Sequence, residues 1–203
     1  MPNVFTQWAV HYGGQSVGEF EQSHYLARFP AELQGGCCMT LCCCWIASKG
    51  DIQTFKGLVN SKIGTNMVRG FQGLATKASA QASGLGGYYV GYILEIFKVF
   101  GIRSQGEFAT RDARDADEIA KFIRNKPAFY QLHFKENGGG GSGHAIAFVN
   151  TGDSIQLFDP NYGLVSFTGT QQGGQFTTML TKLLRDFYPS LNGRWDLARA
   201  YFP

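Results

Sequence analysis

The sequence has few charged residues and lacks the segments that mark membrane or nucleic-acid-binding proteins. Only 16% of its 203 residues are charged, against about 25% in an average globular domain. The net charge is +3 and lysine and arginine form no cluster, so a nucleic-acid-binding surface is not indicated. No apolar run approaches the roughly 20 residues of a membrane-spanning helix. We therefore expect neither a nucleic-acid partner nor a transmembrane segment.

The first residues lack the features of a secretory signal peptide. They read Met1-Pro2-Asn3-Val4-Phe5 and contain neither a basic region nor an apolar core. We therefore expect either a cytosolic protein or one that is exported by a route without a cleaved signal peptide.

Cysteine is absent outside a single short segment. The five cysteines all fall within residues 37–44. An odd number of clustered thiols cannot link distant parts of the chain by disulfides. Without a Cys-x-x-Cys pair and a second ligand cluster, a zinc site is not indicated either. We expect reduced thiols, most of them serving as small core residues.

What the sequence does contain is a helical first part followed by a strand-rich second part. Apolar residues make up 44% of the chain, which is enough for one folded domain over residues 1–203. We predict an irregular N-terminal segment (1–36), a helical subdomain (37–126) and an antiparallel sheet subdomain (127–203), which together make an α+β fold. The predicted helices are 38–48, 51–62, 65–79, 88–100, 116–125 and 177–188, and the predicted strands are 128–135, 144–151, 154–159, 164–168 and 195–202.

Three residues in this pattern could form a thiol-based catalytic site. Cys38 opens a predicted helix, where the helix dipole and free N–H groups favour a thiolate. His144 begins one predicted strand and Asp159 ends the next, so an antiparallel pairing would bring them side by side. Each residue also has a structural explanation, as a core thiol, a strand histidine or a turn former. The three together, in this order, favour an enzyme.

The residues around these positions resemble the motifs of the YopT/AvrPphB-type cysteine proteases. Gly36 to Ile46 resembles the nucleophile motif of that family, with the cysteine-to-tryptophan interval matched by Cys38 and Trp45 rather than by Cys37. Gly143-His144-Ala145 resembles its histidine motif, and Asp159-Pro160-Asn161-Tyr162-Gly163 resembles its aspartate motif. The resemblance spans about residues 34–163.

The resemblance implies a papain-like fold and a division of roles among the matching residues. Cys38 would be the nucleophile, His144 the general base and then acid, and Asp159 the group that orients the imidazole. The Cys38 backbone N–H and the Gln34 side chain would form the oxyanion hole. Independently of the resemblance, Gly143 and Tyr162 are candidates for contact with the substrate, although Tyr162 could instead pack on the sheet. No metal or organic cofactor is required by this chemistry.

Three functions remain open from the sequence. The first is a virulence-effector endopeptidase that cleaves host proteins, for which the family precedents are small GTPases and kinases. The second uses the same residues for deamidation, transglutamination or peptidoglycan cleavage in competing bacteria. The third is a binding module without catalysis. The resemblance implies secretion without a cleaved signal peptide, by type III or type VI-like delivery, and action in the target-cell cytoplasm, with a chaperone or an immunity protein as candidate partners.

Overall fold

The computed structural model describes most of the chain. The described residues are 3–31, 36–81, 88–104, 108–111, 115–136 and 143–202, and their side chains are described except at 74–81, 88–93 and 108–111. In this part of the chain, no helix is long and apolar enough to cross a membrane.

An antiparallel sheet is the centre of the fold. Over the described ranges it has seven strands in the order β1-β6-β5-β4-β3-β7-β2, and each neighbouring pair is antiparallel. The strands are β1 (Gln15–Gly18), β2 (Phe108–Arg111), β3 (Ala128–Lys135), β4 (Gly143–Asn150), β5 (Ser154–Asp159), β6 (Gly163–Thr168) and β7 (Trp195–Ala200).

Helices come from both halves of the chain. They are α1 (Val4–His11), α2 (Gln22–Leu26), α3 (Cys38–Ala47), α4 (Ile52–Asn60), α5 (Lys62–Gln81), α6 (Tyr88–Val99), α7 (Ala116–Arg124) and α8 (Gln172–Lys182). A π-helical turn, Leu183–Phe187, continues α8. Asp51 and Asp115 cap α4 and α7 by accepting hydrogen bonds from backbone N–H groups.

The two faces of the sheet are buried in two separate cores. Alternate residues of β4, such as Ala145 and Ala147, face α3 and its neighbouring helices, while Ile146 and Phe148 face α8. Trp45 of α3 is fully buried and stacks on Phe158 at 5.3 Å between ring centroids, so it belongs to the core. The sheet is thus covered by helices on both faces, and α3 crosses one of them.

The predicted α+β class and most of the elements are confirmed. Strands 128–135 and 154–159 have the predicted bounds, and α3 ends one residue before the prediction. The prediction that residues 1–36 are irregular is wrong, because α1, β1 and α2 lie there. Strand β2 was also missed. The predicted helix 177–188 begins earlier, at Gln172, and ends in the π-helical turn before Tyr188.

Candidate active site

The first turn of α3 holds the one cysteine that is not buried. Cys38 is the first residue of the helix and is partly exposed, whereas Cys37, Cys42, Cys43 and Cys44 are 0–1% exposed. All five thiols are free. The backbone N–H of a first helical residue has no acceptor within its own helix, so the end of α3 offers free donors beside this sulfur. Four cysteines therefore pack in the core as predicted, and Cys38 alone is accessible.

The Cys38 sulfur lies within hydrogen-bonding reach of the His144 imidazole. Burial raises the pKa of Cys38, but the charge and hydrogen bond of His144 and the backbone of Ala145 lower it below the ordinary thiol value. Burial lowers the pKa of His144, but the negative charges of Asp159 and Cys38 raise it to about 10. Both net shifts favour a thiolate beside an imidazolium over two neutral groups.

The other side of the imidazole is held by Asp159. His144 Nε2 lies 2.9 Å from Asp159 Oδ1, and the two residues are 4% and 0% exposed. This contact leaves Nδ1 as the nitrogen that faces Cys38. The β4–β5 pairing ends at Ala147 and Phe158, so Asp159 follows directly after the last paired residue. The predicted juxtaposition of strands β4 and β5 is what brings the carboxylate to the imidazole.

The three residues come from opposite faces of the sheet and meet at its end. His144 and Asp159 share the strand alternation of Ile146 and Leu157, which face α8, while Cys38 belongs to α3 on the other face. The sheet separates its two faces except at its edges and strand ends. A residue of α3 can therefore contact the His144 side chain, which points to the opposite face, only because His144 lies at the end of β4.

The Asp159 carboxylate is surrounded by donors. Besides His144, its Oδ1 accepts from the Asn161 backbone N–H at 2.9 Å, and its Oδ2 accepts from the Tyr188 hydroxyl at 2.8 Å. A fully buried charge is tolerated when such bonds replace those to water. The carboxylate is therefore fixed in position by the turn that follows it and by a tyrosine from a distant element.

The residues after Asp159 are held down by an N-terminal strap, which we define as residues 18–26. The Gln22 backbone N–H donates to the Pro160 carbonyl at 2.7 Å, and its side-chain Nε2 donates to Asn161 Oδ1. Gln22 Oε1 accepts from the Cys37 backbone N–H at 3.3 Å. One glutamine thus connects the turn after Asp159 to the start of α3, which bears Cys38.

Gly163 explains why this turn has room for the strap. Its φ is +111°, a conformation that side chains rarely adopt. A Cβ at this position would lie 2.4 Å from the Gly18 carbonyl oxygen and 2.9 Å from the Phe20 nitrogen. The strap backbone therefore passes directly over a glycine that no larger residue could replace without moving it.

The other predicted site residues have different environments. Gln34 lies outside the described residues. Gly143 is exposed, and a Cβ there would lie 3.0 Å from His133 Nε2. Tyr162 stacks on Phe5, with ring centroids 5.5 Å apart, and packs against the core on the α8 side of the sheet. These contacts fit the alternative that Tyr162 packs on the sheet. The substrate contacts of Gly143 and Tyr162 stay predictions.

Gln22, Asn161 and Tyr188 are supporting residues that were not predicted from the sequence. Asn161 could have been found, because an aspartate side chain commonly accepts a hydrogen bond from the backbone N–H two residues further on. Gln22 and Tyr188 lie 139 and 27 residues away from Asn161, and no local pattern marks either. A cavity of about 580 Å³ that the structure describes lies elsewhere, beyond the last turn of α3, and includes none of these residues.

Comparisons with known proteins bear on the fold and the family. Residues 101–195 match the model of the Peptidase_C58 family, described as Yersinia/Haemophilus virulence surface antigen. This range contains His144 and Asp159 and begins after Cys38. No curated protein matches the sequence significantly.

Two solved structures are similar to this chain at low sequence identity. The crystal structure of the Pseudomonas avirulence protein AvrPphB is 16% identical and superposes with a TM-score of 0.69 over 95% of this chain and 99% of that one. The YopT domain of the Pasteurella multocida PfhB2 toxin is 17% identical over 89% of this chain and 90% of that one, with a TM-score of 0.35, which is too low to support an argument about fold.

The similarity to AvrPphB confirms the papain-like architecture that the sequence predicts, with helices first and an antiparallel sheet after them. The matched family model and this fold agree with the family that the three sequence motifs resemble. Residues 101–195, a little under half of the chain, are thus similar to the Peptidase_C58 family of cysteine peptidases, and the fold is similar to that of AvrPphB.

Proposed function

We propose that this protein is an endopeptidase that cleaves host proteins through Cys38, His144 and Asp159, and that residues 1–203 form its single catalytic domain. The observation that carries the proposal is the continuous contact from the Cys38 sulfur through the His144 imidazole to the Asp159 carboxylate. The match of residues 101–195 to the model of a cysteine peptidase family supports the reaction class, and this contact supports the choice of residues.

The arrangement supports acyl transfer in two steps. The Cys38 thiolate attacks the carbonyl carbon of the scissile bond, and the imidazolium of His144 gives its proton to the leaving amine as the C–N bond breaks. The neutral imidazole then removes a proton from water, whose oxygen attacks the thioester and releases the acid product. Asp159 keeps Nε2 of the ring hydrogen-bonded throughout, so that Nδ1 continues to face the sulfur and the substrate.

Stabilisation of the negatively charged intermediate requires donors beside the sulfur. The Cys38 backbone N–H lies at the start of α3, where helix geometry leaves it free. We assign it to the oxyanion hole together with Gln34, and we assign substrate contacts to Gly143 and Tyr162. The exposure of Gly143 and the close approach of His133 behind it fit a strand end that accepts a substrate backbone.

The experiment is a comparison of protein N-termini in host-cell lysate after incubation with three forms of the protein. Mass spectrometry is applied to lysate treated with wild type, Cys38→Ala and Cys37→Ala. We expect new N-termini with wild type and with Cys37→Ala, and none with Cys38→Ala. The Cys37 variant is the matched control, because it removes a neighbouring thiol that is 1% exposed and whose pKa burial raises.

Other outcomes would contradict specific parts of the proposal. Equal loss in both variants would contradict the assignment of the nucleophile to Cys38. Deamidated or crosslinked glutamine side chains, without new N-termini, would contradict peptide-bond cleavage. They would show that the enzyme acts on side-chain amides instead. Activity on purified peptidoglycan, with no change in the lysate, would contradict a host protein as substrate.

A further inference from the structure

We propose that Tyr188 is a positioning residue of this site, which holds the Asp159 carboxylate with its hydroxyl and the His144 imidazole with its ring. The inference rests on the proposed function of Cys38, His144 and Asp159. It assigns a role to a residue that follows the π-helical turn and lies 29 residues from Asp159 along the chain.

The ring of Tyr188 covers one face of the imidazole. The two rings stack with centroids 4.6 Å apart and an interplanar angle of 24°. Phe134 meets both rings edge-on, at 5.7 Å from His144 and 5.3 Å from Tyr188. The imidazole is thereby enclosed by two aromatic rings, which restrict its rotation and exclude water from its bond to Asp159.

The hydroxyl of Tyr188 has one defined direction for its hydrogen. It accepts from Asn161 Nδ2 at 2.9 Å and donates to Asp159 Oδ2 at 2.8 Å. Burial, followed by the charge of Asp159, raises the pKa of Tyr188 far above its ordinary value, so the phenol stays protonated. It is therefore a permanent donor to the carboxylate.

The Tyr188 hydroxyl determines which oxygen of the Asp159 carboxylate faces His144. With Tyr188 on Oδ2, the other oxygen, Oδ1, is turned towards His144 Nε2 and the Asn161 N–H. Loss of the hydroxyl would leave Oδ2 without this bond in a site that is 0% exposed. A buried oxygen that loses its donor is costly, so the carboxylate would turn towards other donors and hold the imidazole less firmly. The imidazolium would then stabilise the neighbouring sulfur less, and the Cys38 thiolate would form only at higher pH.

The titratable groups around His144 come from four elements. Cys38 reaches it from α3, His133 from β3, Asp159 from the end of β5 and Tyr188 from the segment after α8. Burial, then the positive charges of Lys135 and His144 among others, lower the pKa of His133 to about 3. It is therefore neutral over the range in which the Cys38–His144 pair titrates.

The experiment measures the rate of Cys38 alkylation by iodoacetamide as a function of pH, followed by peptide mass spectrometry, so no substrate is needed. The full chain is compared as wild type, Tyr188→Phe and Tyr130→Phe. The Tyr188→Phe substitution keeps the ring stack and removes only the hydroxyl. A hydrogen bond to a charged group corresponds to about one to two pK units, and we expect the acid limb of the alkylation profile to move up by about one unit in Tyr188→Phe.

Tyr130→Phe is the matched control. The Tyr130 hydroxyl donates to the Lys126 carbonyl at 2.6 Å, at the β3 strand of the same sheet, and this bond involves none of the three proposed catalytic residues. We expect the alkylation profile of this variant to coincide with that of wild type. A shift of equal size in both tyrosine variants would mean that loss of a tyrosine hydroxyl loosens the fold generally, and would overturn the inference.

Asn161→Ala provides a second route to the same test if Tyr188→Phe does not fold. It keeps Tyr188 but removes the amide that orients the phenol, and we expect a smaller shift in the same direction. A profile unchanged from wild type in both variants would overturn the role of Tyr188 alone. Failure of the proposed catalytic site would give a different result from failure of the role of Tyr188. In that case the alkylation profile of Cys38 in wild type would itself be that of an ordinary thiol.

Discussion

Replacement of Gly163 by alanine should destabilise the protein well beyond the cost of its backbone conformation. Alanine at a φ of +111° costs about 1–2 kcal/mol. The new Cβ would also lie 2.4 Å from the Gly18 carbonyl oxygen, and such overpacking typically costs about 1–3 kcal/mol more. The loss in free energy of unfolding should therefore be about 2–5 kcal/mol.

The matched control is Gly169→Ala. Gly169 has a similar φ of +83°, but a Cβ there would meet no atom within 4 Å, so only the conformational cost of about 1–2 kcal/mol applies. Thermal unfolding followed by circular dichroism should lower the Tm of Gly163→Ala by roughly 5–15 °C and that of Gly169→Ala by only a few degrees. Equal decreases in Tm would refute the reasoning, because they would mean that the strap does not press on the aspartate turn.

Two further predictions concern the proposed catalytic residues. Asp159→Ala should reduce the rate less than Cys38→Ala does, because an orienting carboxylate acts through the imidazole; an equal loss in peptide-cleavage assays would contradict an indirect role. The pH profile of wild type should rise as Cys38 loses its proton, below the ordinary thiol pKa, and fall as His144 loses its proton near its raised pKa of about 10. A profile that rises only through the ordinary thiol range would contradict the ion pair.

The sequence predicts the central part of this fold better than its edges. Strands β3, β4 and β5 are long and apolar, and turn residues separate them clearly. Strands β1 and β2 have four residues each, too few for an alternating pattern to be visible, and they form the two edges of the sheet. Their pairing depends on β6 and β7, which lie far away in the sequence.

Helix α1 was missed although a local signal for it exists. Asn3 caps it by accepting from the Thr6 N–H, and Phe5 and Ala9 form a buried pair one turn apart. The same asparagine donates to the Tyr162 carbonyl at 2.7 Å. An N-cap residue just before an apolar pair with helical spacing was therefore enough to predict this helix.

The candidate site likewise contains some residues that the sequence predicts and others that it does not. Cys38, His144 and Asp159 each stand at the end of a predictable element, so their proximity follows once the strands are paired. Gln22 and Tyr188 contact the site through side chains from a short helix and from the residue after a π-helical turn. Only tertiary packing brings them in, and no spacing in the sequence encodes it.

The central claim, that the sulfur of residue 38 is activated by the imidazole of residue 144, is tested most directly by covalent labelling. Wild type and His144→Ala are treated near neutral pH with a thiol-reactive epoxide inhibitor of cysteine peptidases, and peptide mass spectrometry identifies the modified residue. We expect rapid labelling at Cys38 in wild type and slow labelling in His144→Ala. Labelling at another cysteine, or labelling at Cys38 with equal rates in both proteins, would contradict it.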